Sequence, residues 1–335
     1  MKLMRLFDRF LQLIPVLLGV SVIVFFMMAL TPGDPVEIML GEQHVTQEQE
    51  DLLRKDMGLD LPIHERFIVF LKNAATLNFG MSYYHRQPVS DVILSRLPAT
   101  IELSLFALFI ALVTSIPLGI LSALKKNTVI DRLASIGSLF GISLPGFWFG
   151  ILLLLLFAVN FQVLPVSGRI DYEFRVEPIT HLLLIDSLLH LRFDSFANAL
   201  SHIFLPGLTL ALPMAAILMR VTRASMLDVL SQDYMTFATA KGIPRYKVIF
   251  KHGLKNALLP TVSVAAIETG SLLGGNMVIE AVFGWPGLGR LVVESIFVRN
   301  YPLVQASVLF YALTYVLLNF LADFIYTKLN PRIEL

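Results

Sequence analysis

Apolar positions in this chain do not alternate and do not form narrow helical stripes. They are gathered in six long runs, near residues 10–30, 98–124, 133–159, 203–219, 260–283 and 303–326. Each run approaches or exceeds the about 20 residues (range about 17–25) that a helix needs to cross the hydrocarbon core of a bilayer. The first run follows Lys2, Arg5 and Arg9, as a signal peptide would. Its apolar stretch is too long for a signal, and Ala29-Leu30-Thr31 offers no small-residue cleavage site. The pattern therefore predicts an all-α polytopic membrane protein with six transmembrane helices, the first of them retained.

The segments between the runs are unequal. Residues 31–97 begin with the turn cluster Thr31-Pro32-Gly33-Asp34-Pro35. An acidic helix over 46–57 follows, with Thr46 and Gln49 spaced as a capping box and Gly58 as its stop. A second, amphipathic helix spans 63–77. Together they read as a small extracytoplasmic cap. A second long segment runs from 164 to 201, and its 181–189 stretch is too short to span and suits the membrane surface. The expected organisation is residues 1–30 as N-terminus and first span, 31–97 as cap, and 98–335 as a core permease domain holding spans two to six and a structured loop, 222–259. No fixed-period repeat is present.

Composition and charge support this reading and add a direction. The chain is 56% hydrophobic and 15% charged, against about 45–50% and about 25% for a soluble domain; mean hydropathy is +0.73. The net charge of +1 hides a polarity. With the N-terminus inside, 15 of the 26 Lys and Arg fall on inner segments, seven of them from Arg220 to Lys255. Positive charge stays on the cytoplasmic side, so both termini are expected there. There are no cysteines, which excludes disulfides, thiolate metal sites and cysteine nucleophiles.

The basic inner loop carries the most specific pattern. Ser231 is placed to cap a helix whose first turn holds Asp233. Tyr234, Phe237, Ala238 and Lys241 recur at i, i+3, i+4 and i+7, so they share one face. Gly242 falls where a C′ residue needs positive φ, and Pro244 prevents continuation. Pro244 can then open a second helix at its first turn. There Lys247, Lys251 and Lys255 line one side, and Tyr246, Ile249, Phe250 and Gly253 another. Two short amphipathic helices of this kind fit a groove on a partner protein; they equally fit an anionic lipid surface.

The loop resembles the ATPase-docking loop of ABC importer permeases, in the form of the dipeptide, oligopeptide and nickel branch. Thr236-Phe237-Ala238 and Gly242 stand where that family carries Glu-Ala-Ala and, three residues on, Gly. Ala240-Lys241-Gly242 and Asn256-Ala257-Leu258-Leu259-Pro260 match the branch closely. The missing Glu and first Ala are typical of it. Further matches run along the chain: Thr31–Pro35 as written above, Gly58-Leu59-Asp60-Leu61-Pro62, Arg96-Leu97-Pro98-Ala99-Thr100-Ile101-Glu102-Leu103-Ser104, Leu164-Pro165-Val166-Ser167-Gly168, Gly284-Trp285-Pro286-Gly287-Leu288-Gly289-Arg290, Asp323 with Tyr326, and Asn330-Pro331-Arg332. The chain is most similar to the first of the two permeases in such a transporter. Two departures stand out: Asn300 where the family often has Asp, and Glu268 where Gln is usual.

The resemblance implies a type I importer permease fold in the bacterial cytoplasmic (inner) membrane. It implies a heterodimer with a homologous second permease, two cytoplasmic ABC ATPases gripping Tyr234, Phe237, Ala238, Lys241, Gly242, Ile243, Pro244 and Arg245, and a periplasmic or lipid-anchored substrate-binding protein. Di- or oligopeptides are the expected cargo, with nickel chelates, glutathione and sugars open. No cofactor is implied.

Acids inside the apolar runs need a partner or a cavity, because a charge at the bilayer centre costs about 2.5–3.5 kcal/mol on insertion scales. Glu268 lies roughly 12 Å into the fifth run at about 1.5 Å per residue. It is read as facing a translocation path or the second permease, or as a protonated acid bonded between helices. Asn276 and Glu280 are path candidates on the same run. Asn276 with Gly270, Gly274 and Gly275 equally suits close helix packing. Glu280, Glu102 and Asp323 lie near run ends, where interfacial anchoring is the plainer reading. Pro117, Pro145, Pro206 and Pro213 are expected to kink their helices. No P-loop, no His-Glu-x-x-His and no Gly-x-Ser-x-Gly occurs, so the chain supplies neither ATP hydrolysis by that route nor the usual hydrolase sites. Its inner basic residues are too few and too close to lipid for nucleic acid. The rival readings are a proton-coupled secondary transporter built on Glu268 and a membrane scaffold without transport.

Overall fold

The structure, a computed structural model, describes residues 2–30, 36, 47–56, 58–82 and 84–329. Expectations that fall on residues 31–35, Thr46, Met57 and Asn330-Pro331-Arg332 lie outside the described residues, as do the side chains of Asp323 and Tyr326 and the surroundings of Gly274 and Gly275. Regular structure among the described residues is helical, and β pairing is confined to an isolated bridge between Met81 and Pro88. Backbone groups in hydrocarbon have no water to bond, and a single segment satisfies them internally only as a helix.

Two helices are by themselves long and apolar enough to cross a membrane: Val89–Leu124, with mean hydropathy 2.3, and Phe193–Leu230, with 1.8. Ile14–Leu30 and Tyr301–Leu317 are shorter apolar helices. Two of the expected spans are not single helices. Residues 133–159 form Val129–Ser143 and Gly146–Asn160, which meet at 103°. Pro145 causes this bend, since it lacks an N–H and drives Leu144 into an extended conformation (φ −80°, ψ 130°). Residues 260–283 divide into Leu254–Gly275 and Met277–Val282. The break is Asn276, whose Nδ2 donates to the Leu272 carbonyl at 2.6 Å and takes over part of the helix end. By contrast, Pro117, Pro206 and Pro213 sit within helices that continue through them.

The chain forms two compact units. The first comprises Met1–Thr100 and Pro286–Thr314. In it the amphipathic helix Ile63–Ala75 lays Phe67 and Phe70 against Phe25 of the first helix, with ring centroids 5.2 and 5.6 Å apart, and Leu309 joins the cluster. The acidic helix Gln47–Asp56 ends before Gly58, which takes φ +63° as its place after a helix requires. Asn300 donates through Nδ2 to the buried Ser82 hydroxyl at 2.7 Å. An ionised Asp there could only accept from the Ser82 hydroxyl.

The second unit comprises Ile101–Trp285 and Tyr315–Leu335. Its axle is Phe193–Leu230, which packs against Val129–Ser143, Gly146–Leu153, Leu183–Leu189 and Leu254–Gly275. Its apolar window is 67% buried, against 39% for Val89–Leu124. The two long helices pack closely at two glycines, Gly119 against backbone and Gly207 against the Phe106 ring. A Cβ on Gly119 would lie 2.7 Å from Thr222 Cβ and 2.9 Å from the Met219 carbonyl oxygen. A Cβ on Gly207 would lie 2.5 Å from Phe106 Cδ1.

The segment after Asn160 is ordered by polar bonds rather than by apolar packing. Glu102, buried within Val89–Leu124, accepts two bonds from Arg169, at 3.0 and 2.5 Å, and one from the Leu184 N–H at 2.7 Å. Arg169 also donates to the His181 carbonyl at 2.9 Å. Both Arg169 bonds reach Oε2, and the Leu184 N–H takes Oε1, so Glu102 is the buried partner of an ion pair within the chain. Asp186 closes the next turn, accepting from Thr180 N–H at 2.8 Å and Thr180 Oγ1 at 2.6 Å.

Two predictions arise from this packing. Gly119→Ala inserts a methyl where no space exists, and overpacking of this kind costs about 1–3 kcal/mol. Gly137→Ala, on the exposed side of Val129–Ser143 with nothing within 4 Å, should be neutral or slightly stabilising. Thermal unfolding in detergent checks the pair; equal melting temperatures would contradict the contact. Burial raises the Asp186 pKa, but the Thr180 bonds outweigh it and hold the carboxyl below the usual range. A depressed pKa stabilises fully above the unfolded value of about 3.9 and is lost only below it. Hydrogen exchange of residues 179–191 should therefore stay slow from pH 8 to 5 and speed up below about 4, whereas Asp186→Asn should exchange fast throughout. Loss of protection between pH 7 and 5 would refute this assignment.

Candidate functional site

The basic loop folds as a hairpin whose shape follows from a few residues. Ser231 does not start its first helix. It ends the preceding one, with Oγ donating to the Asp228 carbonyl at 2.8 Å, and Gln232 takes the extended N-cap position (φ −75°, ψ 147°). The helix is Asp233–Ala240. Gly242, at φ +75°, closes it. Its N–H donates to Thr239 O at 3.0 Å and the Ile243 N–H to Ala238 O at 3.3 Å, the two bonds of a Schellman motif. Ile243 packs back on the same turn, the apolar contact that accompanies the motif.

The face expected to be shared by Tyr234, Phe237, Ala238 and Lys241 is divided. Ala238 is 8% exposed and points inward beside Met235, 3% exposed, and Val248. Tyr234 (41%) and Phe237 (61%) point outward. The Lys241 ammonium lies 4.5 Å from the Phe237 ring centroid, a cation–π contact on the surface. Arg245 and Tyr246 are exposed beyond Pro244. The outer surface is thus aromatic and cationic, and the inner one is small and apolar. Sequence reasoning missed Met235, which stands three residues before Ala238 and marks the inner face.

The second helix is not a separate element. Arg245–Lys247 passes into a π turn, Val248–Gly253, and then directly into Leu254–Gly275. The π turn puts Val248, Ile249 and Gly253 on the buried side and leaves Tyr246, Lys247, Phe250 and Lys251 exposed. Ile249 therefore parts from Phe250, with which it was grouped. Gly253 is small because Met235 fills the space above it: a Cβ there would lie 3.1 Å from Met235 Cε. Asn256 donates to Tyr234 Oη at 2.9 Å, tying the first helix of the hairpin to the helix that continues toward the apolar run.

Beneath the hairpin lies a closed base. Ile120, Ala123, Met226, Ile249 and Ala257 form one apolar cluster. Thr222 and Thr261 bond through their hydroxyls at 3.0 Å, both buried. Beside them Asp131, 4% exposed, is held on every side. Arg223 donates through Nε at 2.6 Å and Nη2 at 2.8 Å, Ser122 Oγ at 2.5 Å and the Asn127 N–H at 2.9 Å.

The three polar residues expected on the fifth run occupy different settings. Glu268 lies on Leu254–Gly275, half-buried beside the exposed Ile267, and its carboxyl group meets no partner among the described residues. Asn276 forms the helix break. Glu280 is fully buried in Met277–Val282, in a turn closed by Trp285 N–H to its carbonyl at 2.8 Å. It is therefore not an exposed interfacial anchor. No group of His, Asp and Glu able to hold a metal ion occurs among the described residues.

The family model of binding-protein-dependent transport system inner membrane components matches residues 115–335. The model of the N-terminal part of such membrane components matches residues 2–104. Over 322 residues, 96% of both chains, the sequence is 39% identical to the di/tripeptide transport system permease protein DppB of Pseudomonas aeruginosa. It is 38% identical over 324 residues, 96% of both, to the dipeptide transport system permease protein DppB of Escherichia coli K12. It is 39% identical over 326 residues, 97% of both, to the glutathione transport system permease protein GsiC of Escherichia coli K12. Matched along nearly its whole length, the chain belongs to the binding-protein-dependent inner membrane components and is a permease subunit of an ABC importer whose ATPase is a separate protein.

Proposed function

We propose that the chain crosses the inner membrane six times with both termini in the cytoplasm and forms half of a translocation path with a homologous second permease. In this reading residues 31–97 are an extracytoplasmic cap and 98–335 the core domain. The excess of Lys and Arg on the inner segments supports the orientation. The cargo is a di- or oligopeptide, delivered by a periplasmic or lipid-anchored binding protein. The relatives support that class: two are named for di- or tripeptides and a third for glutathione, itself a modified tripeptide. Family membership speaks against a stand-alone secondary transporter.

Two cytoplasmic ATPases dock on the hairpin within loop 222–259. One observation carries this: an exposed aromatic and cationic surface sits on a short helix closed by a Schellman motif, after which the chain from Arg245 runs directly into Leu254–Gly275. Tyr234, Phe237, Lys241 and Arg245 make the contact. Ala238 and Ile243 hold the helix to its base, and Gly242 and Pro244 set the bend. ATP-driven closure of the ATPases then moves the hairpin and the helix behind it as one body. Lys251 and Lys255, closer to the apolar run, face lipid headgroups. Glu268 faces the path or the second permease, while Asn276 and Glu280 shape the break further along the same run.

Gly242→Pro cannot keep φ +75°, because proline is fixed near about −65°. Ala238→Asp places a carboxylate among Met235, Val248 and Ile243. Both substitutions should abolish uptake of labelled dipeptide while leaving membrane insertion unchanged, and the native complex should lose its two ATPases on purification. Normal uptake by both variants would sink the docking role. Glu268→Gln should alter uptake rate or substrate range; an unchanged profile across charged and neutral peptides would remove Glu268 from the path.

A further inference from the structure

Asp131 and Arg223 lie outside the docking surface, yet they join it to the rest of the second unit. Arg223 sits on the last turns of Phe193–Leu230, ahead of Val229 and Leu230, which pack under Met235 of the hairpin. Asp131 belongs to the first turn of Val129–Ser143, and its carboxylate also takes Ser122 from the end of Val89–Leu124 and the N–H of Asn127 from the turn between them. One carboxylate therefore gathers four donors: one from the end of Val89–Leu124, one from the turn that follows and two from the helix that enters the hairpin.

We propose that Asp131 and Arg223 are a positioning pair that carries movement of the docking hairpin into the turn joining Val89–Leu124 and Val129–Ser143. The inference rests on the docking role above. The apolar base of Ile120, Ala123, Met226, Ile249 and Ala257 holds these helices together but does not fix their register, since apolar attraction is not directional. A bidentate guanidinium–carboxylate pair is directional, and fixing register is the best-attested use of a buried ion pair. The pair can act at this point because Gly119 lets the two long helices touch one turn below it, at Thr222. Hairpin, helix end and turn then move together, and a push at Phe237 reaches two further helices instead of being lost as sliding between them.

The experiment compares the complete importer, reconstituted with its ATPases and binding protein, for three readouts: co-purification of the ATPases, ATP hydrolysis, and peptide imported per ATP. Arg223→Lys keeps the charge but loses the fork. The double variant Asp131→Leu with Arg223→Met replaces the pair by apolar side chains, a change that often preserves or raises stability. Both should retain the ATPases and their hydrolysis, and peptide imported per ATP should fall by about tenfold, within the range usual for coupling between two sites. If single variants fail to accumulate, the double variant decides. A wild-type import ratio in the double variant would overturn the proposal, leaving the pair a purely structural contact. Loss of the ATPases from the double variant would overturn it as well, because the pair would then be holding the hairpin itself. Failure of the docking role has a different signature: a wild-type complex that transports while Gly242→Pro still retains its ATPases.

Discussion

The second unit depends on one constraint: a carboxylate buried among apolar helices must be met by donors fixed in place. An uncompensated ion in such surroundings costs several kcal/mol after relaxation. Val89–Leu124 is held in this way near both its ends. Glu102 takes the Arg169 fork and the Leu184 N–H, which fastens the segment after Asn160. At the other end Ser122 and the following turn share Asp131 with Arg223. Between these points Gly119 meets the backbone of Phe193–Leu230, and Gly207 of that helix receives the Phe106 ring. The pairs set where the helices stand, the glycines set how close they come, and apolar side chains fill what remains.

Much of this was legible in the sequence, and the limits are physical. Six apolar runs were plain, because length and hydropathy are local properties. A kink at Pro145 was expected and is found, but the same was expected at Pro117, Pro206 and Pro213, whose helices continue through them, and the break at Asn276 was not expected. Which proline turns a chain depends on what the neighbouring helices offer the freed backbone groups. Gly242 was predicted correctly, as a C′ glycine before Ile243 and Pro244 admits few alternatives. The inner face of the hairpin was misassigned, because the heptad-like spacing of Tyr234, Phe237, Ala238 and Lys241 is satisfied by a helix turned either way. Met235 decides it, and only the groove above Gly253 reveals why a methionine is needed.

The ion pairs were the least legible part. Glu102 and Arg169 are 67 residues apart, and Asp131 and Arg223 are 92 apart. Nothing in either neighbourhood marks its partner. An acid near the end of an apolar run looks alike whether it meets lipid headgroups, solvent or a distant arginine. Burial separates these cases, and burial is a property of the fold. The same holds for the π turn Val248–Gly253. Its sequence reads as a short amphipathic helix, and only packing against Met226 and Met235 turns Ile249 away from Phe250.

This contrast gives Glu268 its meaning. Glu102 and Asp131 are each closed off by several donors within the chain, so they contribute to holding the subunit together. Glu268 lies on a helix of the same unit, half-exposed, with no partner among the described residues. A carboxyl group in an apolar run does not stay unmatched in the assembled state, since its cost there is large. In the proposed reading its match is a group on a neighbouring permease, water in a path, or the cargo passing through it. Among the described residues, Glu102 and Asp131 are enclosed by donors while Glu268 is not, on the helix that continues from the docking hairpin. Glu268 lies on the continuous element Arg245 to Gly275, which Asn256 ties through Tyr234 to the short helix that carries Phe237.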